Sequence, residues 1–181
     1  MSDPVKFMVV AVYEEDISWL DNVPNDWIKM IYSKGRTGFQ ALPNIGREAN
    51  TYLHAIVAHY KWFTTGNEVL FCQGNPHDHD PRFLANIQDE SIRHFGIPMN
   101  CSPSGGEHMT DADLHEYCRV FGLPVQDNYR FSTGAQLRLH GHQIAAHPIE
   151  FYQALLAITT FRPRSPYSLE RLFPTIFGVL V

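Results

Sequence analysis

The sequence lacks the features that mark several common classes of protein. Its cysteines, Cys72, Cys101 and Cys118, are odd in number and share no metal-ligand spacing, so we expect reduced thiols in a reducing compartment, the cytoplasm. It has no run of lysine or arginine and a net charge of −5, which predicts that nucleic acid is not a partner. It has no stretch near the roughly 20 apolar residues of a membrane span, and no secretory signal pattern.

What is present is typical of a globular protein. The chain has 181 residues, of which 44% are hydrophobic and 13% aromatic, and this length suits one domain over residues 1–181. The apolar end, IFGVLV, is consistent with a terminus in the core and equally with a domain that belongs to a longer polypeptide.

The apolar pattern predicts an α/β fold. Continuous apolar runs at Phe7–Tyr13, Trp27–Ser33 and Glu68–Cys72 indicate buried strands. Between the last two, a helix opens at Asn44 with apolar residues at helical spacing. The order strand, strand, helix, strand predicts a mostly parallel central sheet flanked by helices.

The second half of the chain has weaker patterns. We expect a loop over 98–106, a half-exposed strand around Leu137 and Leu139, and a helix from His147. A last helix opens at Ser165, and Pro174 is expected to kink or end it.

An acidic loop leaves the third strand. Asp78 and Asp80 follow a turn at 74–76, and two carboxylates after a strand suit an oxygen-ligated divalent cation. The structural alternative is that Asp80 only caps a helix over 82–87.

Two further features have a functional and a structural interpretation. Gly46 and Arg47 lie in the first turn of the predicted helix, where a phosphate is favoured; alternatively Gly46 permits close packing and Arg47 pairs with an acid. The acidic cluster at 14–16 would lie over a ligand, or Asp16 would cap a short helix.

The chain resembles the small glycosyltransferases of the GT-A fold. Within them it is similar to the compact domains that chlorella-infecting viruses use to glycosylate their capsid protein, and to a wider family in fungi and bacteria. The resemblance lies in six segments: VVAVYEED with SWL (9–20), IYSKG (31–35), LPNIGREANTYL (42–53), VLFCQGNPHDHD (69–80), GAQ (134–136) and SLERLFPTIFG (168–178).

The resemblance implies transfer of a sugar from a nucleoside-diphosphate sugar, most simply a UDP-sugar, to a glycan or glycoprotein acceptor, viral capsid protein included. It implies nucleotide and diphosphate contacts at the matching positions, which are Ala11, Val12, Tyr13, Glu15, Lys34, Arg47, Gln136 and Arg171.

The resemblance also implies Mn²⁺ or Mg²⁺ held by Asp78 and Asp80. A further ligand would come from a C-terminal histidine; His140 is our candidate, and His142 and His147 qualify as well.

An inverting enzyme needs a carboxylate base. Glu170 and Glu107 are the two candidates, and for Glu170 the structural alternative is a solvated ion pair with Arg171.

Two other functions compete with glycosyl transfer. A metallophosphoesterase-like hydrolase is indicated by GNPHDHD and LHGHQ, whose histidines and aspartates suit two-metal hydrolysis. A non-catalytic domain that binds a nucleotide sugar is the third hypothesis.

Overall fold

A computed structural model describes residues 4–35, 38–103, 114–162 and 164–181. Its strands are β1 (Lys6–Val12), β2 (Trp27–Ser33), β3 (Gln40–Ala41), β4 (Glu68–Gln73), β5 (Pro98–Cys101), β6 (Tyr129–Ser132) and β7 (Leu137–His140). Its helices are α1 (Arg47–Phe63), α2 (Phe83–Asn86), α3 (Leu114–Phe121), α4 (Gly141–Ile144), α5 (Ile149–Phe161) and α6 (Ser165–Phe177), and 3₁₀ turns lie at Ser18–Asn22, Pro76–Asp78 and Thr133–Ala135.

The central sheet confirms the predicted α/β fold. Within the described residues it has five strands in the order β3-β2-β1-β4-β7, and every neighbouring pair is parallel except β4 with β7. The antiparallel strands β5 and β6 form a small separate sheet.

Both faces of the sheet are covered, as the continuous apolar runs predicted. In β1, Phe7 and Val9 face one core together with α1, α5 and α6. Met8 and Val10, which alternate with them, face a second core built around Trp19 and Phe83. The alternation follows from the two-residue period of a strand.

Helix α1 crosses from β3 back to β4 and packs against α5 and α6. Gly46 precedes it in the left-handed region (φ 63°), and a Cβ at this position would lie 2.9 Å from Cβ of Thr159 on α5. The close packing that we predicted as one role of Gly46 is therefore confirmed.

Three predicted elements differ from the structure. Residues Pro98–Cys101 form β5 instead of a loop, because they pair with β6. Strand β7 is buried rather than half-exposed, and Arg138 within it is 0% exposed. Pro174 lies inside α6, which continues to Phe177, so the proline does not end the helix; a kink at Pro174 stays a prediction.

Among the helices described, none has the length and apolar character needed to cross a membrane.

Candidate functional site

The strand order creates a switch point at the carboxyl edge of the sheet. From β1 the chain runs to β2 and β3 on one side, and α1 then returns it to β4 on the other side of β1. Loops that leave neighbouring strands in opposite directions open a crevice, which is where open α/β sheets bind ligands.

A cavity of about 370 Å³ lies in this crevice, and we call it the main cavity. Six of the eight predicted nucleotide-binding residues line it, namely Ala11, Val12, Tyr13, Glu15, Lys34 and Arg47. The remaining lining residues are Asn44, Glu48, Thr51 and Gln73. The structure thus brings together residues from β1, β2 and the start of α1.

Lys34 connects the end of β2 to the start of α1. Its ammonium group donates hydrogen bonds to the carbonyls of Ile45 and Arg47. Burial lowers the pKa of Lys34 to about 8, and the nearby charge of Glu48 opposes this shift. Lys34 therefore carries a proton that is lost close to neutral pH, in a cavity wall.

Arg47 begins α1 with a backbone of positive φ (49°), which is unusual for a residue other than glycine. Its guanidinium donates to the Tyr167 hydroxyl (3.1 Å) and pairs with Glu48 (Nε to Oε2, 3.4 Å). The predicted pairing with an acid is thus confirmed. The side chain is still 55% exposed, so it remains accessible to an anion in the cavity.

The loops after β1 and β4 hold each other. The Trp19 indole N–H donates to the carbonyl of Gly74 (2.7 Å). Glu15 accepts the backbone N–H of Tyr13 (2.7 Å), and its carboxylate lies so close that a Cβ on Gly74 would be 2.6 Å from Oε2. A side chain at position 74 would therefore displace the Glu15 carboxylate from this position.

A second cavity, the acidic cavity, adjoins the first at Glu15. It is lined by Glu15, Asp16, Ser18, Trp19, Asn75 and Asp78. The Asp16 carboxylate accepts hydrogen bonds from the amide and hydroxyl of Ser18 (3.0 and 2.9 Å). Asp16 thus stabilises the 3₁₀ turn, although the N-cap position is Ile17 rather than Asp16 as predicted. Asp16 also lines the acidic cavity, and a ligand over the acidic cluster stays a prediction.

The two aspartates that we predicted as a metal pair have different environments. Asp78 is exposed at the acidic cavity and accepts a hydrogen bond from Asn75 (2.7 Å). Asp80 is only 9% exposed, and its two oxygens accept the N–H of Arg82 and the Asn86 amide (3.0 and 2.8 Å). The Asp80 carboxylate stabilises the turn into α2 through these two bonds, but it does not cap the helix as the structural alternative had it, because the N-cap position is Arg82 and has no side-chain cap.

His140 is not brought to the acidic cavity. In the register of β4 and β7, His140 lies opposite Glu68, at the amino end of the parallel strands. This position is roughly 17 Å along β4 from the carboxyl edge. This placement contradicts a shared ion with Asp78. In the described part of the chain, no group of three or more histidine, cysteine or acidic side chains could hold a metal ion.

The other predicted residues lie behind the main cavity. Gln136 is completely buried and bonds to the backbone of Gln73, Pro76 and Phe95, so its role is structural. Arg171 is 8% exposed and donates to the carbonyl of Tyr167 (2.7 Å).

Glu170 forms a buried ion pair with Arg171 (3.2 Å), so our expectation of a solvated pair was wrong. Its carboxylate also accepts the N–H of Gly134 (2.7 Å). Burial raises the pKa of Glu170, the charge of Glu48 adds to this effect, and Arg171 opposes it. A catalytic role for Glu170 stays a prediction, and Glu107 lies outside the described residues.

Sequence reasoning missed Glu48, Thr51 and Gln73 as cavity residues. Glu48 and Thr51 are three positions apart on α1, which places them on one helix face. The sequence pattern that could have identified them is the pair of polar residues, Glu48 and Thr51, that lies beside the apolar face of α1.

A family described as "Protein of unknown function (DUF3431)" matches residues 8–99, which are 92 of the 181 residues. The matched segment contains every lining residue of the main and acidic cavities. No curated protein and no solved structure matches the chain.

Proposed function

The chain belongs to the DUF3431 family, and we propose that it is a glycosyltransferase that takes a sugar from a nucleoside-diphosphate sugar, with the nucleotide in the main cavity. The proposed acceptor is a glycan or a glycoprotein. One observation carries the proposal: two basic side chains and the N-terminus of a long helix converge on a cavity at the switch point of a mostly parallel sheet.

The electrostatics of the cavity suit a diphosphate. The first N–H groups of α1 have no partner within the helix, and they add to the positive end of its dipole. Lys34 and Arg47 contribute two cations beside this helix end. An anion held there would also offset the cost of burying the Lys34 ammonium.

The acidic cavity suits the metal that such a reaction uses. Mg²⁺ and Mn²⁺ prefer carboxylate oxygens, and they are commonly held by one or two carboxylates together with substrate phosphates. Asp78 in the acidic cavity and Glu15 at the junction of the two cavities would supply those carboxylates. When bound, the ion would neutralise the charge of the departing diphosphate.

The transfer itself is a substitution at the anomeric carbon. The acceptor hydroxyl oxygen forms a bond to that carbon, the bond from the carbon to the diphosphate oxygen breaks, and the hydroxyl proton passes to a base. The roles of Lys34 and Arg47 are to position the diphosphate and stabilise its charge, which is how most phosphate-transfer sites lower the barrier.

The test is a thermal-shift series with UDP, GDP and dTDP, each with and without Mn²⁺. We expect at least one diphosphate to raise the melting temperature, because a ligand that binds only the folded state stabilises it by mass action. Paired turnover assays with the corresponding nucleotide sugars should then show release of the nucleotide.

Three results would contradict the proposal. No shift with any nucleotide would exclude the cavity as a nucleotide site. Binding without turnover would favour a non-catalytic domain. Hydrolysis of a simple aryl phosphate without an acceptor would favour the hydrolase. The fold argues against such a centre, because His77 follows β4 and His142 follows β7. These two strands are antiparallel, so the two histidines lie at opposite edges of the sheet.

A further inference from the structure

The wall of the main cavity contains a hydroxyl group that the fold itself does not use. Thr51 is 0% exposed and lines the cavity. Among the described residues, its Oγ1 has no hydrogen-bond partner. Buried hydroxyl groups are nearly always hydrogen-bonded, so this exception requires an explanation.

The usual partner of a helical threonine is taken. A threonine hydroxyl inside a helix normally bonds to the carbonyl four residues earlier, which is that of Arg47. This carbonyl already accepts the helical N–H of Thr51 and the ammonium of Lys34, and a carbonyl oxygen has only two lone pairs. The carbonyl three residues earlier, that of Glu48, is the other acceptor within reach of a helical threonine, but among the described residues the Thr51 hydroxyl bonds to neither carbonyl. It is therefore available to a group in the cavity.

Glu48 lies beside Thr51 on the same face of α1. Its side chain is 12% exposed and lines the main cavity. A carboxylate repels phosphate, so in a cavity that holds a diphosphate it is suited to a different part of the ligand. Hydroxyl groups of a ligand are suitable partners for Glu48, because a carboxylate only accepts hydrogen bonds and a hydroxyl group can donate one.

Both carboxylates of the cavity have a partner in the protein: Glu48 pairs with the Arg47 guanidinium (3.4 Å), which the proposed diphosphate would engage instead. Glu15 accepts the N–H of Tyr13 and also lines the acidic cavity. Glu48 and Thr51 therefore form a two-point site with one strong acceptor and one group that donates and accepts.

We propose that Glu48 and Thr51 bind a pair of vicinal hydroxyl groups on the nucleotide ligand, which makes them specificity residues of the main cavity. This inference rests on the proposed function. Two parts of a nucleotide sugar carry such hydroxyls, the ribose and the transferred sugar, and their chemistry toward this pair of side chains is the same.

The experiment measures dissociation constants by calorimetry for UDP, 2′-deoxy-UDP and UDP-glucose, all with Mn²⁺. The variants are Glu48→Gln and Thr51→Val. Their matched controls are Glu150→Gln, in the first turn of α5, and Thr160→Val; both control positions are exposed and outside the cavity. A ribose site predicts that the wild type binds UDP at least tenfold more tightly than 2′-deoxy-UDP, because a hydrogen bond to a charged group is lost.

Each variant should remove that discrimination. If the hydroxyls belong to the transferred sugar, the variants will instead weaken UDP-glucose about tenfold and leave UDP and 2′-deoxy-UDP unchanged. Thr51→Val should also leave the melting temperature of the ligand-free protein unchanged or raise it, because valine removes an unsatisfied buried hydroxyl.

Equal effects on all three ligands, or no effect on any, would overturn the inference, as would a large loss of stability in Thr51→Val, since the hydroxyl would then be structural. If the wild type binds no nucleotide, the proposed function itself fails. If the wild type binds and the variants match their controls, only the assignment of Glu48 and Thr51 fails.

Discussion

The two edges of the central sheet both carry charged side chains, but they use them differently. At the amino edge, Arg138 and Glu68 are 1% and 8% exposed and lie 3.4 Å apart. Arg138 also donates to the carbonyls of Ile87 and Asp89. At the carboxyl edge, Lys34 and Arg47 line an open cavity.

The difference separates stability from binding. At the amino edge, Arg138 and Glu68 neutralise each other inside the protein, so the stability of the fold depends on both. Because their polar atoms are buried and paired, they are not accessible to a ligand. At the carboxyl edge, Lys34 is held by backbone carbonyls, and Arg47 is held by a tyrosine hydroxyl and by Glu48. Arg47 is nevertheless 55% exposed, and both cations line a cavity. Five predictions test this division, and they are given from the largest expected effect to the smallest.

The largest effect should come from Arg138→Met at the amino edge. Removing one partner of a buried ion pair leaves the charge of Glu68 uncompensated, which costs about 3–5 kcal/mol. Urea unfolding should show this loss, while the affinity of the remaining folded protein for UDP stays unchanged. If Arg138→Met bound UDP more weakly while its free energy of unfolding stayed unchanged, binding at the carboxyl edge would depend on the amino edge.

The next effect should come from Asp78→Asn at the acidic cavity. We expect metal-dependent binding of UDP to weaken roughly 100-fold, because a ligand carboxylate contributes several kcal/mol through the ion. The melting temperature without ligand should hardly change, because Asp78 is exposed.

His140→Ala is the control for Asp78→Asn, since His140 lies at the amino edge. It should leave the metal dependence intact. The metal assignment is wrong if the Asp78 variant binds UDP with Mn²⁺ as tightly as the wild type does.

Lys34 should make binding depend on pH. Its pKa is about 8, so between pH 7 and 9 the affinity for UDP should fall roughly tenfold as the ammonium loses its proton. Calorimetry across this range measures the effect. Lys34→Gln is the control, and an identical pH profile in this variant would assign the titration to another group.

The stability of the ligand-free protein should respond in the opposite direction. Burial lowers the pKa of Lys34 from 10.5 to about 8, so the unfolded chain binds the proton more tightly than the folded protein. The free energy of unfolding therefore gains a contribution as the pH rises from about 8 toward 10.5. Thermal melts across this window, compared with Lys34→Gln, measure it.

The smallest effect should come from Asp80→Ala. The variant loses two hydrogen bonds that stabilise the turn into α2, at a cost of about 1 kcal/mol, and it should keep metal-dependent binding. A loss of metal dependence at unchanged stability would restore Asp80 as a ligand.

Much of the fold could be predicted because its signals are local. The predicted runs at Trp27–Ser33 and Glu68–Cys72 are mainly apolar and rich in strand-forming residues, and the structure places strands at Trp27–Ser33 and Glu68–Gln73. The cavity residues of β1 and β2 were predictable for a related reason: parallel strands end at one edge, so residues that follow different strands meet there.

The predictions that failed depend on neighbours that are distant in the chain. Strand β5 exists because β6 pairs with it about 30 residues later. The expected exposure of Arg138 was wrong because Trp27 and Phe95 cover its guanidinium. Neither contact leaves a pattern in the local sequence.

The sequence alone determined the buried parallel strands and the longer helices, and that acidic and basic residues follow the parallel strands at one edge, since hydrophobic periodicity and chain order are sufficient for both. Only the tertiary structure decided which of these residues face a cavity. Asp78 and Asp80 are two positions apart in the chain, yet one faces a cavity and the other stabilises a turn. The reason is physical: the hydrogen-bond partners that occupy a side chain are set by the path of the folded backbone, and spacing along the chain does not specify that path.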